Sequence, residues 1–180
     1  MAGQIAAGIM AGLVQGGGMA AKLNLSQQDL YADVRAYLLL LFPECEVIQG
    51  YSNNVPLPAG AFVLMNILRE TDLSTNATAY SDTEAHVSRS VEVRMQLDFY
   101  GVGAGKRVRI FANLWRDHHA ADILRHCQPL YSEEPRYLPL ENEAAAFEER
   151  WLLEAALNYN PTISHDQERV KTAAISLHQP

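Results

Sequence analysis

The sequence predicts an α+β fold: a mainly antiparallel mixed sheet with helices packed on one face, preceded by a glycine- and alanine-rich N-terminal arm. Residues 91–99 alternate apolar odd-numbered and polar even-numbered side chains, the period of a strand with one buried face. Two stretches, Leu30–Leu41 and Val108–Trp115, carry apolar residues at helical spacing. Neither a repeat nor a linker divides the 180 residues, so we expect an arm at residues 1–22 and a single domain at residues 23–180.

The first helix is predicted to begin after Ser26, because Asp29 stands three residues later, as in a capping box. Leu25 before the cap and Leu30 just inside it are placed to form a hydrophobic staple. Pro43 ends the helix, since proline cannot continue its backbone hydrogen bonding. The expected buried stripe consists of Leu30, Val34, Tyr37, Leu38 and Leu41.

Strands are expected next at Glu44–Gln49 and Ala61–Leu68, the second apolar and short enough to be buried. Gly50–Gly60 between them is rich in turn-forming residues. Thr71–Ser90 is polar and is predicted to be a long flexible loop between two strands. In the alternating strand beyond it, the side expected to face water carries Glu92, Arg94, Gln96 and Asp98.

The segment Gly101–Gly105 joins that strand to the second helix and superficially resembles a phosphate-binding loop. A Walker loop needs a hydroxyl residue after its Gly-Lys pair and a glycine five positions before the second glycine. Arg107 and Tyr100 stand at those positions. The dinucleotide fingerprint fails as well, because its third glycine would fall at Lys106. We therefore expect a structural corner, in which glycines let the backbone reverse.

The second helix is predicted to break near Asp117 into a short third helix that ends at Leu124. Prolines keep the following segment extended. Phe147–Tyr159 fits a strand by its odd-numbered apolar face and a helix by its Glu and Ala content, and we choose the strand. Asn158–Pro161 is predicted to be a turn, and Thr172–His178 the final strand.

A net charge of −7 and a charged content of 19%, with no basic run, argue against a protein that binds nucleic acid through its phosphates. The acidity favours solubility and would repel DNA passing nearby. Cys45 and Cys127 stand far apart and form no C-x-x-C pair, which indicates a reducing compartment and buried thiols. A disulfide between them stays open as an alternative.

Residues 1–21 carry no charge and six of the chain's 11 glycines. They lack the positive residues with which a signal peptide begins. The ladder Gly8, Gly12 and Gly16 suits close helix contact in a membrane, but the apolar run is shorter than the ~20 residues of a span. We favour an arm that is ordered only against a partner, since glycine-rich termini stay disordered unless tied down. A start of translation at Met19 is a further alternative.

His118, Asp122 and His126 recur at intervals of four, and imidazole with carboxylate can hold zinc. On one helix the outer two would lie about 12 Å apart, too far for one ion, so a solvated helix face is the better interpretation. The side chains in the pairs Glu133–Glu134 and Glu148–Glu149 diverge in direction and are expected to be solvated. With no catalytic motif present, the sequence predicts no enzyme, no metal and no cofactor.

Four phrases of the sequence, taken in order, resemble one known family. They are Gln49–Met65 (QGYSNNVPLPAGAFVLM), Val91–Gly101 (VEVRMQLDFYG), Pro129–Glu143 (PLYSEEPRYLPLENE) and Phe147–Pro161 (FEERWLLEAALNYNP). In their order and spacing the chain is similar, from about Leu25 onward, to the neck or tail-terminator proteins of long-tailed bacteriophages. The Gly/Ala-rich arm lies outside the resemblance.

The resemblance implies a structural virion protein without catalytic residues that forms a ring, with a hexamer as the expected size. Such a ring ends the tail tube and joins it to the head connector. Its implied partners are its own copies, the tail tube protein, the head–tail connector or adaptor proteins and the tail sheath. Genomic DNA would pass through the lumen without specific binding, no membrane would be involved, and assembly would take place in the host cytoplasm.

Two alternatives stay open: a head–tail adaptor or baseplate subunit, and a small enzyme or metal- or ligand-binding protein that uses residues 118–126 or 101–106. Under the favoured interpretation, the arm and the loops at residues 51–60 and 71–88 reach neighbouring subunits. The predicted contact residues are Gly8, Gly12, Gly16, Tyr51, Asn53, Asn54, Ser74 and Asn76.

Overall fold

The computed structural model describes residues 21–50, 57–141 and 147–167, which form three α-helices. These are α1 (Gln27–Leu41), α2 (Ala104–Trp115) and α3 (His118–Ile123). The capping box predicted at the start of α1 is confirmed, because the backbone N–H and the Oγ of Ser26 both donate to Oδ2 of Asp29 at 2.7 Å. These hydrogen bonds, the one from the Ser26 backbone first, lower the pKa of Asp29. The helix ends before Pro43, as predicted.

The same residues form twelve strands, which belong to a six-stranded sheet, a four-stranded sheet and a two-stranded pair. The strands are β1 (Lys22–Leu23), β2 (Glu46–Gln49), β3 (Phe62–Asp72), β4 (Ala77–Tyr80), β5 (Glu84–Ser88), β6 (Val91–Tyr100), β7 (Gln128–Ser132), β8 (Arg136–Tyr137), β9 (Leu140–Glu141), β10 (Phe147–Glu148), β11 (Arg150–Tyr159) and β12 (Thr162–Asp166).

The six-stranded sheet has the order β2-β3-β6-β11-β7, and β8 adds to β11 beyond the end of β7. β6 lies at its centre and pairs antiparallel with β3 on one side and β11 on the other. β2 and β3 run parallel, while the other pairs in this sheet are antiparallel. The predicted mixed, mainly antiparallel sheet is therefore confirmed, and so is the strand chosen for Phe147–Tyr159, most of which is β11.

The helices bury their apolar stripes against one face of this sheet, as predicted. Phe111 of α2 lies between Tyr37 of α1 and Phe99 of β6, and each of the two pairs has ring centroids 6.0 Å apart. All three rings are fully buried. Burial of such large apolar surfaces is the main favourable term in folding, so this aromatic cluster joins both helices to the central strand.

The prediction of a long flexible loop at Thr71–Ser90 is wrong. That segment contains β4 and β5, which form a hairpin within the four-stranded sheet of order β1-β12-β5-β4. The hairpin escaped prediction because only one residue of its two strands, Ala85, is buried, so no clean alternation of apolar and polar residues marks it.

The even-numbered face of β6 is only partly wet, which corrects a second expectation. Glu92, Arg94 and Gln96 are half-buried, but the side chain of Asp98 is 1% exposed. Its Oδ1 accepts from Nη2 of Arg150 at 2.8 Å and from Nε at 3.0 Å. The carboxylate is therefore held inside the fold by an ion pair in which two N–H groups of one guanidinium donate to the same oxygen atom.

Three further features match expectation. Asp117 is the N-cap of α3, and its side chain accepts from the backbone N–H of His119. Cys45 and Cys127 are buried free thiols. The turn between β11 and β12 falls at Asn160–Pro161, within the predicted range. The final strand predicted at Thr172–His178 lies outside the described residues.

Candidate interaction surfaces

The predicted contact residues Ser74 and Asn76 lie where the chain crosses from the six-stranded to the four-stranded sheet. Both are exposed. Oγ of Ser74 accepts from the backbone N–H of Ser90 at 3.1 Å, and Oδ1 of Asn76 accepts from Nε of Arg89 at 2.7 Å. Arg89 also forms an ion pair with Asp72. These bonds tie the outgoing strand to the returning one, so the crossing sets how the four-stranded sheet projects from the domain.

The other predicted contact residues, Gly8, Gly12, Gly16, Tyr51, Asn53 and Asn54, lie outside the described residues. In the loop predicted at residues 51–60, residues 58–60 border an open pocket of about 530 Å³. Val102 at the rim of this pocket is 93% exposed. An isolated exposed valine needs no explanation, but one beside a large recess offers a shaped surface for a partner.

The corner that resembled a phosphate-binding loop is filled by a carboxylate of the protein itself. Oε2 of Glu149 accepts from the backbone N–H of Gly103, and Oε1 accepts from that of Gly105, each at 2.9 Å. The indole N–H of Trp151 donates to the same Oε1 at 3.2 Å. These bonds, the one from Gly105 first, lower the pKa of Glu149. Because α2 begins here, the carboxylate occupies the place where a helix N-terminus would hold an anion.

Arg107 holds the same corner through the oxygen atoms of the backbone. Its Nη1 donates to the carbonyl of Val102 at 3.0 Å, and its Nη2 donates to the carbonyl of Tyr100 at 2.9 Å. Gly101 and Gly103 have φ of 83° and 82°, a left-handed conformation that favours glycine. The glycines of the corner therefore have a backbone role, as predicted. The expectation that Glu149 is solvated is wrong, since its carboxylate binds two amides.

A charged cluster covers part of the six-stranded sheet opposite the helices. Arg94 donates from Nε to Glu92 at 2.9 Å and from Nη1 to Glu133 at 3.0 Å. Its guanidinium also lies 4.7 Å from the centre of the Tyr131 ring. The cluster joins β6 to Glu133, the residue that follows β7, and Glu133 remains exposed to solvent as expected.

The candidate metal ligands His118, Asp122 and His126 do not lie on one helix face. α3 ends at Ile123, so His126 is not on the helix that carries His118 and Asp122. Asp33 of α1 instead accepts from the backbone N–H groups of Arg125 and His126 at 2.9 and 2.8 Å. Within the described ranges, no group of three or more His, Cys, Asp or Glu residues is placed to hold a metal ion.

Tyr37 and Cys127 are poor acid–base groups, because burial and neighbouring acids raise the pKa of each. Burial, with a smaller contribution from Asp117, raises the pKa of Tyr37 to about 12, and its hydroxyl is 3.1 Å from Nδ1 of His119. Burial beside Asp33 also raises the pKa of the Cys127 thiol, which keeps it protonated at neutral pH. The arrangement is one that stabilises a loop.

The corner is closed by a carboxylate of the protein itself, and the two thiols are buried. The accessible features of the described residues are therefore exposed sheet surfaces, which suit contact with other proteins. The protein-family model described as phage neck terminator protein matches residues 28–179, and the chain belongs to this family. It is thus a structural protein of the phage neck, a part of the virion. No curated protein matches the sequence. In the described part of the chain, the helices are too short or too polar to span a membrane.

Proposed function

We propose that the chain assembles into a closed ring, with six copies as the expected number, that ends the tail tube and joins it to the head connector. The observation that carries this proposal is the match to the neck terminator family over nearly the whole domain. In a closed ring each subunit uses two different patches, one for each neighbour. The four-stranded sheet and the surface around Val102 are two separate candidates for such patches.

The proposed role is structural and not catalytic. The corner at residues 101–105 has its amides occupied by Glu149, and the His118–His126 segment is divided between a helix and a loop. A subunit of this kind acts by shape and by complementary surfaces. Its partners would be its own copies, the tail tube protein and the connector proteins, with the sheath as a further candidate.

The acidity of the chain fits a ring through which DNA passes. Each copy carries a net charge of −7, so a ring would present a field that repels phosphate. Repulsion between the acidic ring and the DNA phosphates would prevent the genome from binding to the lumen during packaging and ejection. The expected binding of duplex DNA by the purified ring is therefore negligible at physiological salt.

The test is a mass measurement by light scattering or native mass spectrometry on the full chain and on a variant that lacks residues 1–21. We expect a discrete multiple of the 20.0 kDa chain mass, six copies under the proposal. Incubation with purified tail tubes should place this ring at one tube end, as seen by electron microscopy. The shortened variant measures the part that the arm plays in either step.

A full chain that stays monomeric and never joins tube ends contradicts the proposal. Binding to isolated head connectors without binding to tubes would favour the adaptor alternative. Stoichiometric zinc in the purified protein, or saturable nucleotide binding by calorimetry, would favour the alternative of a metal- or ligand-binding protein.

A further inference from the structure

The four-stranded sheet has one mainly apolar face, and three of the large side chains on it are exposed. The strand register places Leu23, Ile163, Val87 and Thr78 in one row across the sheet. Because side chains alternate, the next row on the same face is His165, Ala85 and Tyr80. Of the residues in these four strands, only Ala85 is buried, while Leu23, Ile163 and Tyr80 are 54%, 45% and 65% exposed.

The opposite face of this sheet is polar, so the two faces differ in what they can bind. It carries the row Ser164, His86 and Ala79, in which Nδ1 of His86 lies 2.8 Å from Oγ of Ser164. A small sheet that has almost no core of its own gains stability when a further strand extends it.

The outer edge of the sheet is also open. β4 pairs with β5 on one side only, and in the described residues its other edge has no strand. All four residues of β4 are exposed, and none is charged or proline. Charge and proline are the usual devices that keep an edge from accepting another strand, so β4 is a ready acceptor.

The chain leaves the described structure close to this edge. The backbone N–H of Gln167 donates to the carbonyl of Thr83 in the β4–β5 turn at 2.9 Å. A recess of about 190 Å³ lined by Tyr80, Ser81, Glu84 and Gln167 lies at the same end. Thirteen residues follow, and their sequence places Ala173, Ile175 and Leu177 at alternate positions. This is the pattern of a strand that is apolar on one face.

We propose that residues 168–180 of one copy add as a strand to the open edge of β4 in the next copy. Ala173, Ile175 and Leu177 would then extend the apolar face of the recipient sheet, and the backbone would satisfy the free groups of β4. This inference rests on the proposed ring, because an edge that accepts and a tail that donates are the two unlike patches of a head-to-tail contact. It supplies the chemistry of that contact: strand addition.

The experiment uses the full chain with Ala79→Cys in β4 and Ala174→Cys in the tail. The proposed register pairs Ala174 with Ala79 on the polar side of the sheet, with Ile175 on the apolar side, so the two thiols meet across the new strand pair. Mild oxidation followed by non-reducing electrophoresis should give a ladder of covalent multimers. The matched control combines Ala174→Cys with Lys106→Cys, an exposed position on α2. Wild type reports on the two buried native thiols.

We expect multimers in the Ala79→Cys/Ala174→Cys variant at least tenfold above both controls. A fast-migrating monomer with an internal disulfide would overturn the inference, because the tail would then fold back on its own sheet. The mass of each sample is measured before oxidation. A multimeric mass without a ladder rejects the strand addition and leaves the ring proposal standing. A monomeric mass without a ladder also rejects the strand addition, and it rejects the ring as well when the chain fails to join tail tubes.

Discussion

Oε1 of Glu149 accepts a hydrogen bond from the backbone N–H of Gly105 at 2.9 Å, at the corner that connects β6 to α2. A Cβ atom at position 105 would lie 2.9 Å from Nε1 of Trp151, so a larger residue would have to displace the indole. The glycine lets the carboxylate and the indole approach the first turn of the helix. The corner is thus closed by Glu149, which immediately precedes β11, and by Trp151 of that strand.

Glu149→Gln should destabilise the fold, because a neutral amide replaces the charge at the start of α2 and cannot accept from both N–H groups equally well. We expect a loss of about 1 kcal/mol in the free energy of unfolding, the usual size of a helix cap. Urea denaturation followed by tryptophan fluorescence and circular dichroism measures it.

The matched control for that variant is Glu148→Gln, which removes the same charge from the adjacent, exposed position. We expect it to change the free energy of unfolding by no more than about 0.5 kcal/mol. Equal losses in the two variants would show that net charge matters here and that the cap does not.

The same carboxylate should make stability depend on pH. Hydrogen bonds from Gly105, Gly103 and Trp151 lower the pKa of Glu149 from its ordinary value of 4.5. A carboxyl group with a lowered folded pKa contributes stability that is complete above the unfolded pKa and is lost as pH falls through the folded one. The difference between wild type and Glu149→Gln should therefore be constant near neutral pH and shrink below pH 4.5. Urea denaturation of both proteins from pH 7 to pH 3 gives this difference in the free energy of unfolding. A difference that increases on acidification would contradict the prediction.

Arg107→Lys should destabilise the corner from its other side. A planar guanidinium reaches the carbonyls of Tyr100 and Val102 together, whereas an ammonium group is a single point of donation. Because the site is buried, we expect a loss of about 2 kcal/mol in the free energy of unfolding. Arg109→Lys on the same helix is the control. Arg109 is exposed, and its ion pair is with Glu134, with 3.7 Å between Nη1 and Oε2. A loss no larger than in that control would show that the carbonyl contacts are dispensable.

The parts of the fold that were predictable from sequence are those whose periodicity is local. β6 and α1 each bury one face in a deep core, so a strand period marks the first and a helical period the second. The β4–β5 hairpin was missed because it lies outside that core and only one residue of its two strands is buried. Its edge and apolar face become visible only when the register brings Leu23, Ile163 and Val87 together from three distant parts of the chain.

The contacts that close the corner are also invisible locally. Glu149 stands 44 residues after Gly105, and nothing near either residue in sequence indicates the other. The glycines between β6 and α2 predict a backbone corner, and this prediction is confirmed, but they carry no signal for the carboxylate that closes it. In the same way, Asp98 continues the polar series of β6, yet its partner Arg150 comes from a strand 52 residues later.

Asp98→Asn should cost more than the loss of any exposed charge, because it leaves Arg150 without its anion. Asp98 is fully buried while Arg150 keeps 25% of its side chain exposed, so water can relieve part of the penalty. We therefore expect about 2 kcal/mol, below the range for a fully buried pair. Glu134→Gln, which breaks the exposed pair with Arg109, is the control and should cost no more than about 0.5 kcal/mol.

The double variant Asp98→Asn/Arg150→Leu removes both charges, and it should be less destabilised than the sum of its single variants because neither charge is then left without a partner. Strict additivity in that thermal or urea denaturation cycle would mean that the two side chains, although 2.8 Å apart, do not stabilise each other.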